Sequence, residues 1–227
     1  MVKIGVTVFP GSNCDRDVYH IFKTKLKTNV SYIKKEKDLK HFDAIIIPGG
    51  FTYGDRLRAG VIAAHSSLMD NVKNIADDGI PVLGICNGFQ ILVESGLLPG
   101  ALIPNNSLKF VCKWTNIKVT NTKTPFTNQF TQDQIISIPI AHGEGRYMLD
   151  NISYSNIKNN NQITLKYDNE NPNGSIDNIA AVCNSKGNIM GMMPHPERAS
   201  DNELIPKGFS KNAIGIFESL ISYINSG

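Results

Sequence analysis

The sequence of 227 residues contains no long apolar run and carries little excess charge. A membrane helix needs about 20 consecutive apolar residues, whereas the apolar run at the N-terminus ends at Pro10 and has no signal-peptide cleavage pattern. A net charge of +3 is too small to indicate binding to nucleic acid. These absences predict a cytoplasmic protein with neither a membrane nor a nucleic-acid partner.

Metal-binding and phosphate-binding motifs are also missing. The four cysteines, Cys14, Cys86, Cys112 and Cys183, form no C-x-x-C pair and have no histidine at metal-ligand spacing. We therefore expect reduced thiols and no metal site. The patterns G-x-G-x-x-G and G-K-[ST] are absent as well, and we expect no cofactor in this chain.

Residues 1–100 alternate between short apolar runs and helical patterns, which is typical of βαβ units in a mostly parallel sheet with helices on both faces. The predicted strands cover residues 3–9, 29–33, 44–47 and 82–85, and the predicted helices cover residues 15–27, 55–77 and 87–97. The length suits one large domain, residues 1–227.

The second half of the chain is richer in strand patterns. Strands are predicted at residues 110–119, 135–140, 163–167, 179–183 and 188–193, and we expect some of them to be antiparallel. The asparagine-rich residues 156–162 are typical of a loop, and an apolar stripe predicts a packing helix over residues 211–225. The fold class is therefore α/β, with an open, mostly parallel central sheet and an added antiparallel portion.

The most specific local pattern places a cysteine between two glycines. A buried strand runs into Gly84-Ile85-Cys86-Asn87-Gly88 at the start of a helix, which has the form of a nucleophile elbow with cysteine in place of serine. Glycines on both sides leave room for a tight turn, and a helix N-terminus favours the reactive thiolate. A lone cysteine at a strand end is more often a small buried hydrophobe, but the glycine spacing favours a nucleophile.

A cysteine nucleophile needs a base, and His195 is the best candidate. It lies in Met-Pro-His-Pro-Glu-Arg, residues 193–198, where we expect the two prolines to exclude helix and hold the backbone extended. Residues two apart then project to one side, so Glu197 can orient the His195 imidazole. A proline-rich surface turn explains the segment equally well.

Another glycine-rich loop follows the third predicted strand, at residues 48–51. In a parallel α/β sheet, ligands bind beyond the carboxyl ends of the strands. Backbone N–H groups of this loop, together with that of Asn87, can form an oxyanion hole for a tetrahedral intermediate.

These motifs resemble the Cys-His-Glu triad of class I glutamine amidotransferases, whose fold is flavodoxin-like. Three further segments are similar to the family of glutaminase subunits of phosphoribosylformylglycinamidine synthase, namely PGSNCDRD at 10–17, PGGFTYGD at 48–55 and PIAHGEGRY at 139–147. Thr52 stands where that family commonly has serine, which keeps the hydroxyl. The resemblance runs from Lys3 to about Ile224.

The resemblance implies that the chain hydrolyses glutamine to glutamate and ammonia. Cys86 would be the nucleophile, His195 the acid and base, and Glu197 its orienting partner. The backbones of Gly50 and Asn87 would supply the oxyanion hole.

The family's substrate pocket maps onto four residues, Gln90, Phe51, His142 and Gly143. Gln90 matches the C-x-G-x-Q position, one helical turn past Cys86, and its amide can both donate and accept. The loop after His142 lines the same pocket, although His142 is equally compatible with a structural role.

The resemblance also implies partners. The ammonia would pass to a separate synthetase subunit, which uses ATP and magnesium to convert formylglycinamide ribonucleotide to its amidine in purine biosynthesis. The chain holds no more than the glutaminase fold, so we expect a complex with that synthetase and with a small accessory subunit.

Two other functions remain open on the motifs alone. One is the glutaminase of another synthase, such as those of CTP, GMP or anthranilate, which share the elbow and triad; residues 13–15 and 139–147 favour the purine enzyme. The other is a cysteine hydrolase or deglycase of related fold, against which Glu197 and Gln90 argue. A non-catalytic binding protein with a vestigial site is disfavoured by the intact Cys86 and His195.

Overall fold

A computed structural model describes residues 1–35 and 39–226, which contain eleven strands and six α-helices. The strands are β1 (Lys3–Thr7), β2 (Asn29–Ile33), β3 (Ala44–Ile47), β4 (Val82–Ile85), β5 (Ala101–Ile103), β6 (Val111–Val119), β7 (Ile135–His142), β8 (Arg146–Met148), β9 (Ile163–Asp168), β10 (Ile179–Cys183) and β11 (Ile189–Met192). The helices are α1 (Asp15–His20), α2 (Val61–Ala64), α3 (Ser67–Asp77), α4 (Asn87–Glu94), α5 (Asn151–Asn159) and α6 (Gly215–Ser226). Among the described residues, every helix is too short or too polar to cross a membrane.

Nine strands form one mixed sheet in the order β2-β1-β3-β4-β11-β10-β9-β6-β7. The first five are parallel, and every pair from β11 to β7 is antiparallel. All residues of β3 and β4 are buried, as expected for parallel strands covered on both faces. The predicted α/β fold, parallel with an antiparallel addition, is confirmed, and the order 2-1-3-4 followed by β11 is flavodoxin-like.

The antiparallel strands curl back towards the parallel half. The edge strand β7 is four positions from β11 in the sheet order. Nevertheless the His195 N–H, just past β11, donates to the Pro139 carbonyl of β7 at 2.9 Å. The far edge of the sheet therefore lies next to the carboxyl end of its parallel part.

The prediction of one helix over residues 55–77 is wrong. Asp55, Leu57 and Gly60 have φ values of 51°, 70° and 80°, which end any right-handed helix there. The first α-helix of this segment is α2, and a second begins at α3, where Ser66 Oγ accepts from the Met69 N–H at 3.4 Å. The Ser66 cap satisfies an N–H group that a new helix leaves free.

The predicted loop at residues 156–162 is also wrong in its first part, because α5 extends to Asn159. Asp150 Oδ1 caps this helix by accepting from the Ile152 and Ser153 N–H groups at 2.9 and 3.0 Å, and Ile157 packs into the core. Capping and one buried side chain outweigh the low helix propensity of asparagine. The two-stranded sheet of β5 and β8 was not predicted.

Candidate active site

Cys86 lies in the sharp turn between β4 and α4. Its backbone adopts φ 51° and ψ −106°, a conformation that L residues rarely adopt. The Cys86 N–H donates to Met192 O at 2.7 Å, and the Cys86 carbonyl accepts from the Phe89 and Gln90 N–H groups at 2.9 and 3.1 Å. Hydrogen bonds on both sides thus hold a strained turn at the carboxyl end of β4.

The glycines flanking Cys86 are required by close packing. A Cβ atom on Gly84 would lie 2.6 Å from the Gly88 carbonyl oxygen, and one on Gly88 would lie 2.0 Å from the Ile47 carbonyl oxygen. The start of α4 therefore presses directly on β3 and β4. This explains the G-x-C-x-G spacing in physical terms.

His195 and Glu197 form a buried pair. His195 Nδ1 lies 2.6 Å from Glu197 Oε1, and the two side chains are 2% and 0% exposed. The expected extended backbone is wrong, because Pro196–Ala199 forms a 3₁₀ turn. Pro196 occupies its first helical position, where the missing N–H is not needed, and the turn still brings Glu197 onto the imidazole.

Cys86 and His195 meet beside Gly49. A Cβ atom on Gly49 would lie 2.9 Å from His195 Cε1 and 3.4 Å from Cys86 Cβ. Burial disfavours the charged form of His195 and lowers its pKa. The Glu197 carboxylate, and then Cys86, have the larger opposite effect, so the pKa of His195 is well above its usual value. His195 Nε2 has no hydrogen-bond partner among the described residues, and such contacts often tighten only when substrate binds.

A second cysteine lies at the same place. Cys14 Sγ is 3.9 Å from His195 Nδ1 and 3.1 Å from Arg198 Nη2. With His195 and Glu197, Cys14 makes a group whose ligand atoms all lie within 4.8 Å of one another. Two ligand atoms bound at about 2 Å to one tetrahedral metal lie farther apart than the 2.6 Å between His195 Nδ1 and Glu197 Oε1. The Arg198 guanidinium also faces the Cys14 sulfur. The observed geometry is that of hydrogen bonds.

Beyond Cys86 opens a cavity of about 150 Å³. Six residues that the sequence singled out line it, namely Gly50, Phe51, Cys86, Gln90, His142 and Gly143. Asn87 is the first residue of α4, where a helix leaves its N–H groups without intrahelical partners. The remaining two, His195 and Glu197, approach Cys86 from the Gly49 side.

The Asn87 and Gln90 side chains tie the cavity walls together. Asn87 Oδ1 accepts from the Thr52 N–H at 3.1 Å, and Asn87 Nδ2 donates to Gln90 Oε1 at 2.8 Å. Gln90 Nε2 donates in turn to the Glu144 carbonyl at 2.6 Å. Gln90 therefore holds the loop after β7 in place, a role that the sequence did not reveal.

Sequence reasoning missed one acidic residue in the cavity wall, Asp55, and placed Glu144 there only as part of the loop after His142. Asp55 belongs to a segment that carries the family resemblance, but nothing in its spacing pointed to the pocket. Burial, then the charge of Glu144, raises the pKa of Asp55 to about 6, against a hydrogen bond from Asn87 that lowers it. The cavity wall contains no lysine or arginine among the described residues, so it suits a ligand with a cationic group.

Comparison with known proteins agrees with this site. Residues 1–224 match the family model described as the CobB/CobQ-like glutamine amidotransferase domain. A phosphoribosylformylglycinamidine synthase subunit PurQ from Alkaliphilus metalliredigens is 50% identical over 227 residues, covering 100% of this chain and 98% of that protein.

Solved structures show the same relationship. A chain of the structure of PurLQS from Thermotoga maritima has 42% identity and a TM-score of 0.88, covering 98% of this chain and 99% of that one. Another glutamine amidotransferase from Thermotoga maritima has 15% identity and a TM-score of 0.61, covering 100% of this chain and 99% of that one, and it shows a shared fold alone. The resemblance inferred from the motifs is confirmed.

Proposed function

We propose that this chain, which belongs to the CobB/CobQ-like glutamine amidotransferase family, is the glutaminase subunit of a phosphoribosylformylglycinamidine synthase. It hydrolyses glutamine and supplies ammonia for the ATP-dependent conversion of formylglycinamide ribonucleotide to formylglycinamidine ribonucleotide in purine biosynthesis. The observation that carries this function is the strained Cys86 turn, which opens on a small cavity and adjoins the His195–Glu197 pair.

The proposed reaction begins with attack of the Cys86 sulfur on the side-chain carbonyl carbon of glutamine. His195 holds the proton of the Cys86 thiol, as its raised pKa favours, and passes it to the nitrogen, so that ammonia leaves and a thioester remains. Water, deprotonated by His195, then attacks the thioester and releases glutamate and the Cys86 thiol. Glu197 contacts His195 Nδ1 and stabilises the imidazolium in both halves of this cycle.

The negative oxygen of each tetrahedral intermediate needs donors. We assign this role to the Gly50 and Asn87 N–H groups, one from the loop after β3 and one from the first residue of α4. Because α4 has eight residues and begins at this point, its dipole adds to the stabilisation.

The rest of the cavity binds the amino-acid end of glutamine. Asp55 and Glu144 face the α-ammonium group, while Phe51 and Gly143 enclose the aliphatic chain and backbone. Gln90 positions the loop that carries Gly143 and Glu144. His142 completes the substrate-binding wall.

The mouth of the cavity fits a protein partner. Phe51 and Phe110 line it, with rings 6.4 Å apart, and are 48% and 54% exposed. Leu108, close by in the chain, is 83% exposed. We assign this apolar surface to the synthetase subunit, which carries ATP and magnesium, since ammonia must reach it without escaping to water. The chain acts as a single domain in a complex that includes a small accessory subunit, in the reducing cytosol that a catalytic thiol requires.

The assembled complex tests this function. Amidine formation from formylglycinamide ribonucleotide and ATP is measured with glutamine, with and without the chain. We expect glutamine to support synthesis only when the chain is present, with one glutamate released per amidine. If the chain instead supplied nitrogen to a synthetase acting on UTP or xanthosine monophosphate and left this acceptor unused, the purine assignment would be wrong.

A further inference from the structure

The orientation of the Asn105 amide is fixed by its neighbours. Asn105 is fully buried. One end of its amide lies 2.9 Å from the Lys109 carbonyl oxygen and 2.8 Å from the His142 carbonyl oxygen. Carbonyl oxygens only accept hydrogen bonds, so this end must be the NH₂ group. The other end is therefore the Oδ1 oxygen.

This orientation determines the tautomer of His142. Asn105 Oδ1 accepts from the Gly145 N–H at 3.0 Å and lies 3.0 Å from His142 Nδ1. Because Oδ1 can only accept, His142 Nδ1 must carry a proton. Burial and then the charge of His195 lower the pKa of His142 to about 4. At neutral pH the ring is therefore uncharged, and its Nε2 atom presents a lone pair.

That lone pair has no partner in the free protein. His142 is 3% exposed, and its Nε2 atom is buried without a hydrogen bond among the described residues. Gly145 packs against the ring so closely that a Cβ there would lie 2.3 Å from Nδ1, so the ring cannot easily turn away. A buried acceptor without a donor is unfavourable, and because His142 lines the substrate cavity, a ligand in that cavity packs against this residue.

We propose that His142 Nε2 accepts a hydrogen bond from the carboxamide nitrogen of bound glutamine, and that Asn105 is the positioning residue that keeps this acceptor available. The inference rests on the proposed glutaminase function. It places the contact near the reaction centre because His142 and Cys86 line the same cavity and the charge of His195 acts on the His142 ring. The α-ammonium group has the Asp55 and Glu144 carboxylates as its partners.

The contact favours amides over other acyl groups. When the carbonyl carbon becomes tetrahedral, the nitrogen has two hydrogens and one lone pair. An acceptor that holds one hydrogen directs the lone pair away from itself, towards the acid His195. An ester substrate has an oxygen at this position and offers no hydrogen to His142, so it gains nothing from the contact.

The test compares two substrates in the assembled complex, glutamine and the γ-methyl ester of glutamate, with glutamate release as the readout. For His142→Leu we expect kcat/KM to fall roughly 10-fold more for glutamine than for the ester, because the two substrates share the wall contacts and only the amide donates the hydrogen bond. His142→Gln, which keeps an acceptor near the Nε2 position, should recover most of the loss. Equal losses on both substrates, or none on glutamine, would overturn the proposal.

A second measurement does not depend on the variants folding. Imidazole nitrogen NMR of the full chain, which has five histidines, reports the tautomer of each. We expect His142 to be protonated on Nδ1 alone at pH 7; a proton on Nε2 would refute the inference whatever the kinetics. If the wild-type complex released glutamate from neither substrate while this tautomer was observed, the proposed function itself would have failed, and with it the inference.

Discussion

The two halves of the central sheet contribute different things to the site. The carboxyl ends of the parallel strands β3, β4 and β11 carry Gly50, Cys86 and His195, which we propose perform the chemistry. The antiparallel half reaches the same place through its edge strand β7, which supplies His142 and the loop to Glu144, and through Phe110 just before β6. The parallel half thus supplies the reacting groups and part of the substrate-binding wall, and the antiparallel half supplies the rest of that wall.

This division follows from topology. Parallel strands end together at one edge, so loops after them converge without further arrangement. The antiparallel strands must curl round to contribute, and a hydrogen bond from His195 to Pro139 closes that curve. We therefore expect changes in the parallel half to abolish chemistry, and changes in the antiparallel half and the cavity wall to alter substrate binding.

The largest effect is expected for Cys86→Ala. Removal of the nucleophile should lower glutamine-dependent synthesis by at least about a thousandfold, while synthesis from free ammonia by the complex persists. Both rates are measured by amidine formation at saturating ATP. Failure of ammonia to rescue the variant would mean that Cys86 does more than release nitrogen.

The next largest effects are expected for substitutions of His195 and Glu197. His195→Ala should lower kcat for glutamine hydrolysis by more than Glu197→Gln does, since an orienting carboxylate contributes less than the base it orients. Glutamate release measures both, and thermal unfolding verifies that each variant is folded. Equal losses in two well-folded variants would contradict the separate roles.

Asp55→Asn should raise KM for glutamine about tenfold by removing a charge that faces the α-ammonium. It should also stabilise the free protein above pH 6. The folded state raises the pKa of Asp55 to about 6, so the wild-type protein loses stability as pH rises from about 4 to 6, and the variant does not. Because Asp55 is only half-buried, the gain is about 1 kcal/mol after solvent screening.

Urea unfolding at pH 4 and pH 7.5 checks the second part of this prediction. Glu144→Gln should give a smaller gain at pH 7.5, because it removes only the second cause of the raised Asp55 pKa and leaves the burial of Asp55 unchanged. An equal gain in stability at pH 4 would show that the gain does not come from ionisation of Asp55. An unchanged KM would show that the Asp55 carboxylate does not face the substrate.

The smallest effect is expected for Cys14→Ser. Cys14 contacts His195 and Arg198 but does not line the cavity, so the change should lower kcat less than about fivefold. Glutamine hydrolysis in the complex is the measurement. A loss as large as that of Cys86→Ala would reassign the nucleophile to Cys14.

Much of the parallel half could be predicted from the sequence. The bounds of β2, β3 and β4, and of β10 in the antiparallel half, follow directly from apolar runs between polar or glycine residues, and the elbow motif located Cys86. These signals are local: each depends on a few adjacent residues whose periodicity or spacing has one physical explanation.

The parts that could not be predicted depend on distant contacts. Asp55 and Leu57 adopt left-handed backbone conformations, which interrupt the apolar pattern that predicted a helix over residues 55–77. The residue types at these positions do not predict that conformation. Asn105 meets His142 across 37 positions of sequence, and Gln90 meets Glu144 across 54. Such hydrogen bonds depend on how distant segments fold together, and patterns in a single sequence do not predict contacts between residues so far apart.

The most direct test of the proposed site is the intact mass of the chain after treatment with a chloroketone analogue of glutamine, followed by peptide mapping. We expect one adduct, located on Cys86 and prevented by excess glutamine, with Cys14 unmodified although its sulfur lies 3.9 Å from His195. An adduct on Cys14, or one on Cys86 that glutamine does not prevent, would contradict a glutaminase site built on the Cys86 turn.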